Sequence, residues 1–318
     1  MPISINQFKQ ILVCVDLADE KRFVSNERSR STQEAIDQAV WLAKSNRAEL
    51  CLFYVLPLSA EQRSHDGQIL MAEGNEYKSV HDDASEVLAE IAKKVSKQKI
   101  KASSKVVFGK PWIEIIREVV GGKFDLVIAG TRNQGPFRGM LFGSTGIKLL
   151  RKCPCPVWIT KPADDDKQPV ESILVAHDFT LVGDTALELG CSLARSPGVE
   201  LHVLHALENH VPVFDESTSA FSATKSIDDQ LAQLGMADKF VSVHVADGHA
   251  EEGILTCVKK FDINLLIMGT IARAGINGML VGNTAEHVLP FLPCSILAIK
   301  PDGFKCPVSL EDKKSSYV

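Results

Sequence analysis

Phe124-Asp-Leu-Val-Ile-Ala-Gly-Thr131 recurs as Ile263-Asn-Leu-Leu-Ile-Met-Gly-Thr270, and this pair of stretches decides the fold. Each is a run of apolar, partly β-branched residues ending in Gly-Thr. That pattern predicts a strand buried on both faces. The repeat extends in both directions. Gly248, Gly269, Gly282 and Pro301 each stand 139 residues beyond Gly109, Gly130, Gly143 and Pro162. Cys153-Pro-Cys-Pro-Val-Trp-Ile-Thr-Lys-Pro162 thereby aligns with Leu292-Pro-Cys-Ser-Ile-Leu-Ala-Ile-Lys-Pro301. Chance does not hold one register over this span, so the chain is one domain written twice.

Upstream the offset grows. Ala48-Glu-Leu-Cys-Leu-Phe-Tyr-Val55 matches Val199-Glu-Leu-His-Val-Leu-His-Ala206 at 151 residues, and Ile11-Leu-Val-Cys-Val-Asp16 matches Ile173-Leu-Val-Ala-His-Asp178 at 162. The first half therefore carries two insertions, expected near residues 18–31 and 59–83. Between the strand-like runs lie helical patterns. Ala35, Ala39, Val40 and Ala43 share one helical face, and residues 185–194 repeat the pattern. Alternation of strand and helix predicts a parallel sheet covered on both faces. The expected fold is α/β: two tandem, doubly wound, Rossmann-like domains of five strands each. Their expected bounds are 1–162 and 163–302, with a polar linker at 163–170 and a loose polar tail at 303–318.

The 318 residues are 45% hydrophobic and 24% charged, enough to build two cores. The net charge of −5 argues against non-specific attraction to nucleic acid or to an anionic membrane. Residues 1–9 lack the basic and apolar blocks of a signal peptide, and no apolar run approaches the ~20 residues of a membrane span. These features lead to the expectation of a cytoplasmic protein. Cys14, Cys51, Cys191 and Cys257 sit in apolar runs, as buried thiols of a reducing compartment do. Cys153 and Cys155 lack a second pair at zinc spacing and read as the opening of a strand rather than a metal site.

In a doubly wound sheet, ligands sit at the carboxyl ends of the strands, where strand order reverses. The first strand of each half ends in an aspartate, Asp16 or Asp178. Such a carboxylate suits a sugar or base, and equally suits a helix cap or solvated turn. The fourth strands end in Gly130 and Gly269, glycines that let backbone approach a ligand. Gly143-Ser144-Thr145 and Gly282-Asn283-Thr284 follow. Their Ser, Thr and Asn side chains are expected to cap helices starting near 145 and 284, whose amino ends would attract an anion. Simple capping is the alternative.

Several enzyme signatures are missing: Gly-x4-Gly-Lys-Ser/Thr, Gly-x-Gly-x-x-Gly after a strand, Gly-x-Ser-x-Gly and His-Glu-x-x-His. His177 and Asp178 are adjacent, so in a strand they point to opposite faces and make a poor acid–base pair. His202 and His205, at odd spacing, do not share a face.

An aspartate after strand one, combined with a Gly-x2-Gly-x9-Gly-Ser/Thr pattern after strand four, resembles the nucleotide motif of the universal stress proteins in their tandem form. The resemblance covers nearly the whole chain, twice. It implies an ATP-type ligand, with Mg only alongside ATP. The aspartate would contact adenosine, and the loop glycines and Ser/Thr would hold ribose and phosphates. Carried over, the site residues are Asp16, Gly130, Gly143, Ser144 and Thr145 in the first half. In the second half they are Asp178, Gly269, Gly282 and Thr284. The sequence departs from the motif at Asn133 and Ala272, where glycine is expected, and at Asn283, where serine is. Arg132, Arg138 and Arg273 lie in the same loops, to meet a phosphate or solvent. The first half is expected to bind better.

The resemblance implies a non-enzymatic role in stress resistance, including DNA damage. It also implies pairing of the halves as a pseudo-dimer through 157–160 and 296–299, with a homodimer as a further option. A weak ATP hydrolase or self-phosphorylating enzyme is one alternative. A carrier or scaffold for a larger, partly apolar small molecule is another.

Overall fold

The computed structural model describes residues 8–17, 30–57, 74–131, 142–161, 170–207, 216–236, 241–270 and 282–309. The chain divides into two compact units. One comprises the described residues of 6–131, 143–162 and 305–318, and the other Phe142 and those of 163–304. Among the described residues no helix is long and apolar enough to cross a membrane.

The first half runs β1 (Gln10–Cys14), α1 (Arg30–Asn46), β2 (Glu49–Pro57), α2 (Gly74–Ser96), β3 (Ala102–Gly109), α3 (Pro111–Gly122), β4 (Leu126–Gly130), α4 (Ser144–Lys152) and β5 (Val157–Thr160). Its strands lie in the order β3-β2-β1-β4-β5, every neighbouring pair parallel. Right-handed crossovers moving outward from β1 to β3 place α1 and α2 on one face. The return through β4 to β5 places α3 and α4 on the other. Both faces of the central strands are covered, so Ile11, Leu12, Val13, Leu126, Val127 and Ile128 have no exposed surface. Ala35, Ala39, Val40 and Ala43 of α1 are buried as their spacing predicts. The fully enclosed Trp158 of β5 meets Trp41 of α1 edge to face, ring centroids 6.4 Å apart.

The second half repeats the plan: β6 (Ser172–Ala176), α5 (Leu181–Leu193), β7 (Glu200–Leu207), α6 (Glu216–Gln233), β8 (Val241–Asp247), α7 (Ala250–Lys260), β9 (Leu265–Gly269), α8 (Asn283–Val288) and β10 (Ser295–Ile299). Its order is β8-β7-β6-β9-β10, again all parallel. Five strands per half is the number the sequence predicts. Part of the second insertion proves helical, since α2 begins at Gly74 and is 23 residues long against 18 for its counterpart α6.

The duplication reaches individual hydrogen bonds. Before β4, the Asp125 carboxylate accepts from the Lys9 and Gln10 amides at 2.6 and 3.2 Å. Before β9, Asn264 Oδ1 accepts from the Glu171 and Ser172 amides at 3.3 and 3.1 Å. Each side chain fastens the start of the first strand of its half to the start of the fourth, which fixes the register at the opposite, carboxyl ends.

The tail does not simply trail away. The Cys306 thiol donates to the Lys152 carbonyl at 3.6 Å within the first unit. Cys153 closes α4 rather than opening β5: its amide donates to Leu149 O at 3.0 Å, and its sulfur lies 3.6 Å from that of Cys155. That thiol contact, together with burial, pushes the Cys155 thiol well above its ordinary range, so its sulfur is a poor nucleophile.

Candidate functional site

In each half the strand order reverses between the first strand and the fourth, and helices leave these two strands on opposite faces. The resulting crevice opens at the carboxyl ends. Asp16 and Gly130 flank it in the first half, Asp178 and Gly269 in the second.

The strand-end glycines are needed for packing within the chain. A Cβ at Gly130 would stand 2.3 Å from the Ser31 carbonyl oxygen in the first turn of α1. A Cβ at Gly269 would stand 2.8 Å from Val182 Cγ1 in the first turn of α5. What presses on these glycines is the chain's own helix. The close approach seats the helix amino end over the sheet and shapes one wall of the crevice.

The helix caps also differ from expectation. α4 starts at Ser144 and α8 at Asn283, so the cap residues are Gly143 and Gly282. Both glycines have ordinary extended backbone (φ −62° and −71°), and neither helix has a side-chain cap bond. Ser144 and Asn283 each sit one residue too late to cap. Gly282 is instead tied back by its amide to the Thr270 carbonyl at 2.9 Å. Arg132, Asn133, Arg138, Ala272 and Arg273 lie outside the described residues.

The two aspartates have diverged. Asp16 is half-buried, and its main chain is clasped by Thr32 of α1: its amide donates to Thr32 Oγ1 at 3.4 Å, and that hydroxyl donates to its carbonyl at 3.3 Å. Asp178 is exposed and turns inward on its own loop. Its Oδ1 accepts from the Thr180 amide at 3.1 Å and from the Thr180 hydroxyl at 2.6 Å. Thr180 Oγ1 in turn accepts from the Gly183 amide at 3.2 Å, capping α5. In the second half, then, Thr180 is the cap, and Asp178 lies in the exposed turn before it, bracing that threonine.

More polar chemistry collects at this end of the second half. The buried His177 imidazole donates from Nε2 to Asp184 Oδ1 at 3.1 Å. Gln230 Nε2 reaches the same oxygen at 3.3 Å, and His205 Nδ1 donates to the His177 carbonyl at 2.9 Å. Phe179 stands edge-on to His177 and His205, with centroids 4.8 and 4.5 Å away. It holds a left-handed φ of 55°, which costs a bulky residue about 1–2 kcal/mol. Lys300, 8% exposed at the end of β10, donates to Thr270 Oγ1 at 2.5 Å. His177 pairs not with its neighbour Asp178 but with Asp184, seven residues on, across a turn that spacing rules do not bridge. His202 packs apart from His205, stacked with His244 and Phe261, and its Nδ1 lies 3.0 Å from His244 Nε2.

Two predictions follow from this geometry. Gly130→Ala forces a methyl against main chain and should cost about 2 kcal/mol or more. Gly269→Ala meets only a side chain and should cost less. Gly143→Ala has no atom within 4 Å of the new carbon and should cost least. Urea unfolding of the full-length variants reads the order. The second concerns pH. Burial lowers the pKa of His177, His202 and His244 below their ordinary 6.5, opposed by Asp184 at His177 and by Glu200 at His202, and reinforced by His202 and Lys260 at His244. A depressed imidazole pKa means the unfolded chain binds the proton more readily. Stability is therefore complete above about pH 6.5 and declines as pH falls below it. All three residues lie in the second half, so amide protection factors, which are referred to the intrinsic exchange rate at each pH, should fall at pH 5.5 more in 170–300 than in 8–161. An equal fall in both halves would contradict this.

The sequence profile of the universal stress protein family matches residues 7–161 and again 169–300. Universal stress protein E of Photorhabdus laumondii is 27% identical over 301 residues, covering 88% of this chain and 94% of that protein. The universal stress protein E homolog of Haemophilus influenzae is 26% identical over 317 residues, covering 93% and 98%. The crystal structure of a universal stress protein from Archaeoglobus fulgidus superposes with a TM-score of 0.69 at 23% identity, covering 92% of this chain and 99% of that one. The two-fold match falls on the two units described above, and the chain belongs to the universal stress protein family.

Proposed function

We propose that this chain is a non-enzymatic, cytoplasmic stress-response protein whose first crevice takes an adenine nucleotide, with Mg accompanying ATP alone. The observation that carries the reading is the arrangement at the first switch point. Thr32 clasps the Asp16 main chain at the end of β1, β4 stops at Gly130 beside it, and the amino end of α4 follows at Ser144. A carboxylate that accepts from ribose or base hydroxyls and amines, and helix amides that suit phosphate, are the two ends of a nucleotide's needs. The second crevice supports this less well. There Asp178 is engaged by Thr180. Phe179 and Leu181, 41% and 82% exposed, stand beside it and favour a partly apolar small molecule over a nucleotide in that half.

Calorimetric titration of ATP and Mg into the full-length chain tests the reading. One binding event is expected, abolished by Asp16→Ala and unaffected by Asp178→Ala. Asn133→Gly, which restores the family's motif glycine, should tighten it by about tenfold, equivalent to ~1.4 kcal/mol. Two equal events, or loss on Asp178→Ala alone, would overturn it.

A further inference from the structure

One surface of the first half carries charge that its copy lacks. Lys110 caps α3, which packs against α4, and Lys148 and Lys152 lie one turn apart on α4. All three ammonium groups gather on Trp112 in the first turn of α3. Their Nζ atoms lie 6.0, 5.8 and 4.5 Å from the ring centroid. Among the described residues none of the three lysines has a carboxylate partner. The acids of α3 are engaged elsewhere, Glu114 by Arg117 and Glu118 by Lys105, each at 2.6 Å. Like charges one turn apart, such as Lys148 and Lys152, work against a helix.

The second half supplies an internal control. At the register of 139, Lys110, Trp112, Lys148 and Lys152 become His249, Glu251, His287 and Phe291. There Glu251 stands where the tryptophan does, with its Oε1 3.6 Å from His287 Nδ1. The fold therefore does not require three cations at this place. One copy balances the position internally, while the other concentrates positive charge and uses an indole to hold it in position.

We propose that Lys110, Lys148 and Lys152, gathered around Trp112, form a docking surface for a short acidic segment of a partner protein. Three compact point charges suit several separate carboxylates better than one planar bidentate group, which would call for arginine. The ammonium groups already occupy the indole, so it offers no platform for stacking a nucleobase. The chain as a whole carries −5, so a long polyanion is repelled beyond the patch while a short segment meets only the patch.

The test uses the full-length chain and a fluorescently labelled ten-residue glutamate peptide, followed by anisotropy at low salt. The patch variant is Lys110→Gln, Lys148→Gln, Lys152→Gln. The control is Lys93→Gln, Lys94→Gln, Lys97→Gln on and just beyond α2, the same change in net charge at exposed lysines elsewhere. The patch variant should lose about tenfold or more in affinity, and the control should stay near wild type. Trp112→Phe should weaken binding with its circular dichroism unchanged, and oligothymidylate of ten nucleotides should bind more weakly than the peptide. Equal loss in both triple variants, no peptide binding by the wild type, or tighter binding of the oligonucleotide would each overturn the proposal.

Discussion

The contact between the end of β4 and the first turn of α1 constrains everything built at the carboxyl edge of the first half. Residue 130 has no room for a side chain, because the Ser31 carbonyl oxygen occupies the place of its Cβ. With α1 seated this low, Thr32 reaches the Asp16 main chain, and the loop leaving β1 is fastened beside the end of β4. At the amino edge, Asp125 clamps the start of β1 and holds the register that delivers both strand ends to the same level. The crevice is thus a consequence of how helix and sheet pack, and any ligand inherits it.

The copy keeps the packing and changes the contents. Gly269 still yields to α5, but to a valine side chain rather than main chain. Where Thr32 clasps the Asp16 main chain in the first half, the second engages the Asp178 side chain with Thr180, adds the His177–Asp184 pair and sets Phe179 in a strained conformation against two imidazoles. Buried polar groups must find partners. Each partner found within the loop or between neighbouring elements is one that a ligand cannot use. The divergence is therefore chemical and not architectural, with the two halves differing where ligands would meet them.

The architecture was legible because it rests on patterns local in sequence. The repeat gave five strands per half, and the spacing of Ala35, Ala39, Val40 and Ala43 gave the buried face of α1. The helix contact at each strand-end glycine was not legible. Gly130 and Ser31 are 99 positions apart, and an invading helix and an invading ligand leave the same mark on a strand end. The caps were missed by one residue, because a glycine caps through backbone geometry alone and leaves no side-chain signal. Asp184 as the partner of His177, and the meeting of Lys110 with Lys148 and Lys152 over Trp112, depend on turns and helix packing that no periodicity encodes. Arg132, Asn133, Arg138, Ala272 and Arg273 fall outside the described residues, and their roles rest on the resemblance to the family motif.

Two crevices of one design but unequal chemistry is the central claim, and native mass spectrometry of the freshly purified full-length chain tests it most directly. The account predicts a complex with one adenine nucleotide per chain, released on denaturation and identified by its mass, with no second nucleotide at any loading. Two nucleotides bound per chain would contradict it by showing the halves to be equivalent.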